Sequence, residues 1–164
     1  MKMKQVLSVL SFAATALALG LVIGGKGSLA HSVGVREVSA SSCEVVRLNL
    51  GLGITTQVVF EQEPKVTLYA DHRHFRINTN SLSPRSLAII PFVEANELNA
   101  FRDAQGRMPT GAALAQALDK SFKTNLFVFF DNNNQLMFQL RFVDKAQADY
   151  IVRVKQVFKE DCVL

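Results

Sequence analysis

From Glu44 onward the chain is cut into short apolar–polar alternating runs, each bounded by Gly, Pro, Asn or Asp. A period of two places alternate side chains on opposite faces of a strand, so each run can present one face to a core. "VVRLNL" (45–50) collects Val46, Leu48 and Leu50 on one side, and "GLG" (51–53) follows as a turn. "ITTQVVF" (54–60) sets Ile54, Thr56, Val58 and Phe60 together, and "KVTLYA" sets Val66, Leu68 and Ala70 together. "HFRI" starts a further strand after a corner at Asp71, "NTNSLSPRS" (78–86) reads as turn chemistry, and "LAIIPF" reads as a buried strand. The clearest hairpin is "TNLFVFF" (124–130), the turn "DNNN", and "QLMFQLRFV", in which Leu136, Phe138 and Leu140 oppose Met137, Gln139 and Arg141. "DYIVRVKQVF" (149–158) alternates in the same way. About eight β-rich runs at short spacing predict an all-β fold: an antiparallel β-sandwich or a partly open barrel.

One stretch departs from this rhythm. Residues 93–123 show no strand alternation, and "TGAALAQALDKSF" has helical spacing through Ala113, Leu114, Leu118 and Phe122. Thr110 stands where an N-cap belongs, so the expectation is a single helical insert over about 110–122. The expectation is that such an amphipathic helix covers its own core, the alternative being that it docks a partner.

The N-terminus has a different character. Lys2 and Lys4 precede an uncharged run from Gln5 to Gly25, and "KGSLA" places small residues at Ser28 and Ala30. A basic start, an apolar middle and S-x-A form a secretory signal with cleavage between Ala30 and His31. The alternative is an uncleaved N-terminal membrane anchor, which Gly20, Gly24 and Gly25 weaken. Either reading exports the rest, which places it in the periplasm of a bacterial envelope. Residues 31–43, with "SASS", read as a flexible polar arm, and 44–164 as one β domain.

The whole chain carries a formal charge of +4, but three of its 18 Lys and Arg residues lie in the first thirty positions, leaving fifteen against 14 acidic residues. The exported part is near neutral and has no Lys/Arg cluster, so nucleic acid is not an expected partner. The two cysteines, Cys43 and Cys162, flank the domain. In an oxidising compartment an even pair reads as a disulfide, which would make the first and last strands neighbours.

The sequence holds no G-x-S-x-G, H-E-x-x-H, phosphate-binding loop or C-x-x-C. Asp144 and Asp149 fall at a strand junction, where carboxylates commonly mark turns. The expectation is a non-enzymatic protein without a cofactor. The one pattern suggestive of a metal is His72-x-His74 in "ADHRHFRI". On a continuous strand both imidazoles share a face, but zinc takes three or four ligands and no further His or Cys completes the set. The plainer reading turns both histidines outward and Phe75 and Ile77 inward.

In order, these elements resemble something known. "VVRLNLGLGITTQVVFEQEPKVTLYADHRHFRI" is similar to the N-terminal β domain of the CagX/TrbG family, with Gly53, Thr55, Thr56, Phe60, Val66 and Phe75 in matching places. "TNLFVFFDNNNQLMFQLRF" resembles that family's hairpin through Thr124, Asn125, Leu126, Val128, Phe138 and Leu140, and "LAIIPF" resembles the strand before it. The insert at 93–123 is longer than the family's loop, and the cysteine pair is not a family feature. The resemblance implies a periplasmic core component of a type IV secretion or conjugation system, working through protein partners and possible self-association. A second expectation, from the His pair or a barrel mouth, is a free periplasmic small-ligand or metal-binding β-sandwich. A surface adhesin or pilus-like subunit is a third.

Overall fold

The computed structural model describes residues 34–158. Among the described residues nine strands lie in two sheets: β1 (Val35–Ser41), β2 (Val45–Gly51), β3 (Thr56–Phe60), β4 (Val66–Tyr69), β5 (Phe75–Asn80), β6 (Ser83–Pro91), β7 (Thr124–Phe129), β8 (Gln135–Val143) and β9 (Ile151–Val157). Two helices, α1 (Ala95–Asn99) and α2 (Gly111–Ser121), separate β6 from β7. One sheet has the order β1-β9-β3-β6-β5 and the other β2-β8-β7-β4; neither closes on itself.

The two sheets share one apolar core. Leu48, Leu50, Leu126, Val128, Leu136, Phe138 and Leu140 enter it from the four-stranded sheet. Val58, Phe60, Leu87, Ile89, Val152 and Val154 enter it from the five-stranded sheet. Phe60 meets Phe138 at 6.0 Å between ring centroids, and Phe75 meets Phe142 at 5.2 Å, so aromatic rings from the two sheets touch. Each such fully buried side chain contributes about 1.5–3 kcal/mol from apolar surface removed from water.

Four expectations need correction. The sheets are mixed, not antiparallel: β1–β9, β2–β8 and β3–β9 are parallel pairs. The cause lies in the route of the chain. From β1 to β5 successive strands alternate between the two sheets, so their hydrogen-bond partners come from distant segments. Alternation specifies which face is buried but not which neighbour is paired.

Second, the strands number nine, because Val35–Ser41 of the expected arm is strand β1, paired with β9 from Val35↔Ile151 to Ser41↔Val157. Its polar sequence reflects its place at a sheet edge, where Ala40 and Ser41 are buried but Val35, Glu37 and Ser39 are exposed. Third, β5 and β6 extend through most of the expected turn 78–86, leaving a tight reversal at Ser81 and Leu82. Asn80 supports it by accepting a hydrogen bond from the Leu82 N–H at 2.9 Å.

Fourth, the insert holds two helices. The expected one, α2, follows Thr110, and its Leu118 is 1% exposed within the core. Asp119 on the same helix takes hydrogen bonds from Arg141 of β8, the shortest at 2.7 Å. The Asp119 hydrogen bond and charge raise the Arg141 pKa further above its usual value, against a smaller desolvation effect. The hairpin β7–β8 forms as expected, with Leu126 opposite Phe138 and Val128 opposite Leu136. Gly53 closes the turn after β2 with φ of 77°, a left-handed conformation that glycine adopts without steric cost.

Candidate functional site

"ADHRHFRI" does not form one continuous strand. Asp71 to His74 is a turn, and β5 begins only at Phe75. Asp71 builds that turn: its Oδ1 accepts the backbone N–H of His74 at 3.0 Å, and the Phe75 N–H reaches the Asp71 carbonyl at 3.2 Å. This is the behaviour that favours Asp in turns. Its consequence is that the two imidazoles diverge.

His74 points inward and is 7% exposed, which corrects the expectation of an outward side chain. Its Nδ1 lies 2.9 Å from Asp71 Oδ1, and its Nε2 lies 3.2 Å from Glu97 Oε1 on α1. Its ring stacks on Phe122, just after α2, at 3.8 Å and an interplanar angle of 21°. Glu97 is itself fully engaged. Arg73 reaches its Oε1 at 2.7 Å, and the Glu94 N–H donates to Oε2 at 3.2 Å. Burial acts to raise the Glu97 pKa, but the hydrogen bonds from Glu94 and His74 and the charge of Arg73 outweigh it. Its carboxyl therefore sits below the ordinary carboxylate value.

A neutral imidazole has one N–H, so it donates to one of these two carboxylates at a time; the doubly protonated ring donates to both. The two nitrogens face opposite carboxylates, so Asp71, His74 and Glu97 do not converge on a point where one ion would sit. Among the described residues no group of three or more His, Cys, Asp or Glu side chains is placed to hold a metal. This corrects the shared face expected of His72 and His74. What the cluster does physically is tie the turn before β5, α1 and the end of α2 together.

His72 goes the other way. Its ring sits 4.1 Å from that of Tyr69, and it joins the wall of a groove of about 690 Å³ beside β4. Leu68, Tyr69, Phe127, Asn125 and Lys123 also line that groove. Its lining mixes aliphatic and aromatic side chains with polar ones, the composition of many binding surfaces.

The other singled-out residues are structural or lie outside the description. Asp144 accepts the Ala146 N–H at 3.0 Å and starts a short 3-10 turn. Asp149 is buried and joins three strands: it accepts the Asn49 N–H from β2 at 2.8 Å, pairs with Arg36 of β1 at 3.3 Å, and gives its carbonyl to Thr56 of β3. Cys43 lies in the turn between β1 and β2, whereas Cys162 and the expected cleavage pair Ala30 and His31 lie outside the described residues. Glu97 and Phe122 had no signal pointing to His74, because both contacts span the insert and depend on how it folds back. No family model matches the chain, and no curated protein matches it.

Proposed function

We propose that this protein is an exported, non-enzymatic assembly module of a bacterial envelope complex, of the type IV secretion or conjugation kind that the resemblance implies. The observation that carries this reading is the β7–β8 hairpin. The residues behind the resemblance lie in one register, Thr124 opposite Leu140 and Leu126 opposite Phe138. We read the two sheets as an open β-sandwich held by their shared core. The titratable cluster around His74 is consistent with a structural role, since both ring nitrogens and one ring face already have partners in the fold.

The same reading includes a Cys43–Cys162 disulfide. β1 and β9 run parallel with Ser41 opposite Val157, so both chains leave the sheet at the same end, two residues before Cys43 and five before Cys162. The five residues from Val157 to Cys162 reach about 17 Å when extended. Such a bridge would seal the edge strand β1 onto its neighbour.

The test is mild crosslinking in intact cells, followed by fractionation and identification of what is joined to the protein. Envelope proteins of a secretion or conjugation machine are the expected partners. Recovery in the cytoplasmic fraction, or of uncrosslinked protein alone under conditions that preserve envelope complexes, counts against the proposal. The groove beside β4 favours one second reading, a periplasmic small-ligand binder. That reading expects saturable binding that Phe127→Ala weakens at least tenfold.

A further inference from the structure

The four sheet edges differ. The edges of the five-stranded sheet are β1, which carries Arg36 and Glu37, and β5, which carries Arg76. One edge of the four-stranded sheet is β2, which carries Arg47. Charged side chains on an edge strand oppose its pairing with another chain. The remaining edge, β4, reads Val66-Thr67-Leu68-Tyr69 and has no charge at all. No strand pairs with its open side among the described residues.

The sheet face beside that edge is also unusual. Val45 pairs with Met137, Met137 with Phe127, and Phe127 with Leu68, so one row of apolar side chains crosses all four strands on the side away from the core. Both ends of the row are open to solvent, Val45 at 50% and Leu68 at 55%. Val66 continues the apolar surface along β4 at 51% exposure. Lys65, the residue before the strand, lies 3.9 Å from Glu63 and 3.8 Å from Asp131, so charge at that end of the strand is compensated.

We propose that β4 is a pairing edge whose occupant is β4 of a second copy, arranged antiparallel about a two-fold axis to give one eight-stranded sheet across two chains. An antiparallel pair of identical strands is self-complementary: each donates to and accepts from the other along the same stretch, as an isologous interface requires. An edge without charge meets its own copy without setting like charges against each other and without taking a charged side chain out of water, as pairing along β1, β2 or β5 would. The pairing also brings the two apolar rows together at their exposed Leu68 ends, so each covers apolar surface of the other. This inference rests on the reading of the protein as an assembly module and names self-association as one of its contacts.

The experiment is sedimentation equilibrium of the purified full chain over a hundredfold concentration range, with Leu68→Lys and Val66→Lys beside it and Leu82→Lys as control. Leu82 is 93% exposed in the β5–β6 turn, away from the edge. The unsubstituted protein and Leu82→Lys should sediment as dimers. Leu68→Lys and Val66→Lys should raise the dissociation constant at least thirtyfold, with circular dichroism and melting temperature unchanged. A monomeric unsubstituted protein across the range, or dimers unaffected by both edge substitutions, overturns the proposal. The two readings fail separately: a monomer that still crosslinks to envelope proteins removes the β4 pairing alone, and a β4 dimer with no envelope partner removes the assembly reading alone.

Discussion

On the His74 imidazole, three pieces of chain that are distant in sequence meet: the turn before β5 through Asp71, α1 through Glu97, and the end of α2 through Phe122. Removing the ring deletes a stacked contact and leaves two carboxylates without their shared donor. His74→Ala should cost about 2–3 kcal/mol, read as a shift in urea midpoint at constant slope. Glu97 adds a pH dependence whose sign follows from its lowered pKa. A carboxylate whose folded pKa lies below its unfolded value stabilises the fold above the unfolded value, and that contribution is lost as pH falls through the folded one. The unsubstituted protein should therefore lose stability relative to Glu97→Gln as pH drops below about 4. Equal pH profiles for the two proteins would contradict the role given to Glu97. Sequence alone pointed to this histidine for the wrong reason. H-x-H suggested a shared face, but Asp71 bends the chain into a turn at that place and sends the two rings apart.

Elements were legible where periodicity and end signals agreed. α2 starts after Thr110 and ends within a residue of expectation, because its apolar spacing and its N-cap point to the same boundary. The β7–β8 hairpin was legible for the same reason, with alternation on both sides of an Asn-rich turn. α1 was not, since a five-residue helix has too few turns to show a period. β1 was missed because an edge strand with polar residues resembles a loosely held arm. α2 also offers the sharpest test of packing. Leu118→Ala should cost about 2–4 kcal/mol, because the side chain fills the core rather than a surface gap. Asp119→Ala should cost about 1–2 kcal/mol, less than a fully buried ion pair, since Arg141 remains partly exposed to water. Thermal or urea unfolding measures both, and a larger loss for Asp119→Ala would mean that α2 is held by charge rather than by its apolar face.

For the whole molecule, the class of fold was readable and its pairing was not. Short alternating runs specify inward and outward faces, which is enough to predict two β layers, but three of the seven strand pairings are parallel and join segments far apart in sequence. Parallel β1–β9 pairing brings the two ends of the domain side by side, and on the proposed Cys43–Cys162 bridge it predicts a measurable effect. Reduction should lower the unfolding free energy by about 2–4 kcal/mol, seen as a drop in melting temperature that a Cys43→Ser variant no longer shows. A protein that works in company as proposed travels with its partners, so its size in the envelope is the deciding measurement. Velocity sedimentation of gently solubilised envelope fractions should place the protein in a complex many times the mass of one chain. Sedimentation there as a single chain, with the envelope machinery otherwise intact, would contradict it.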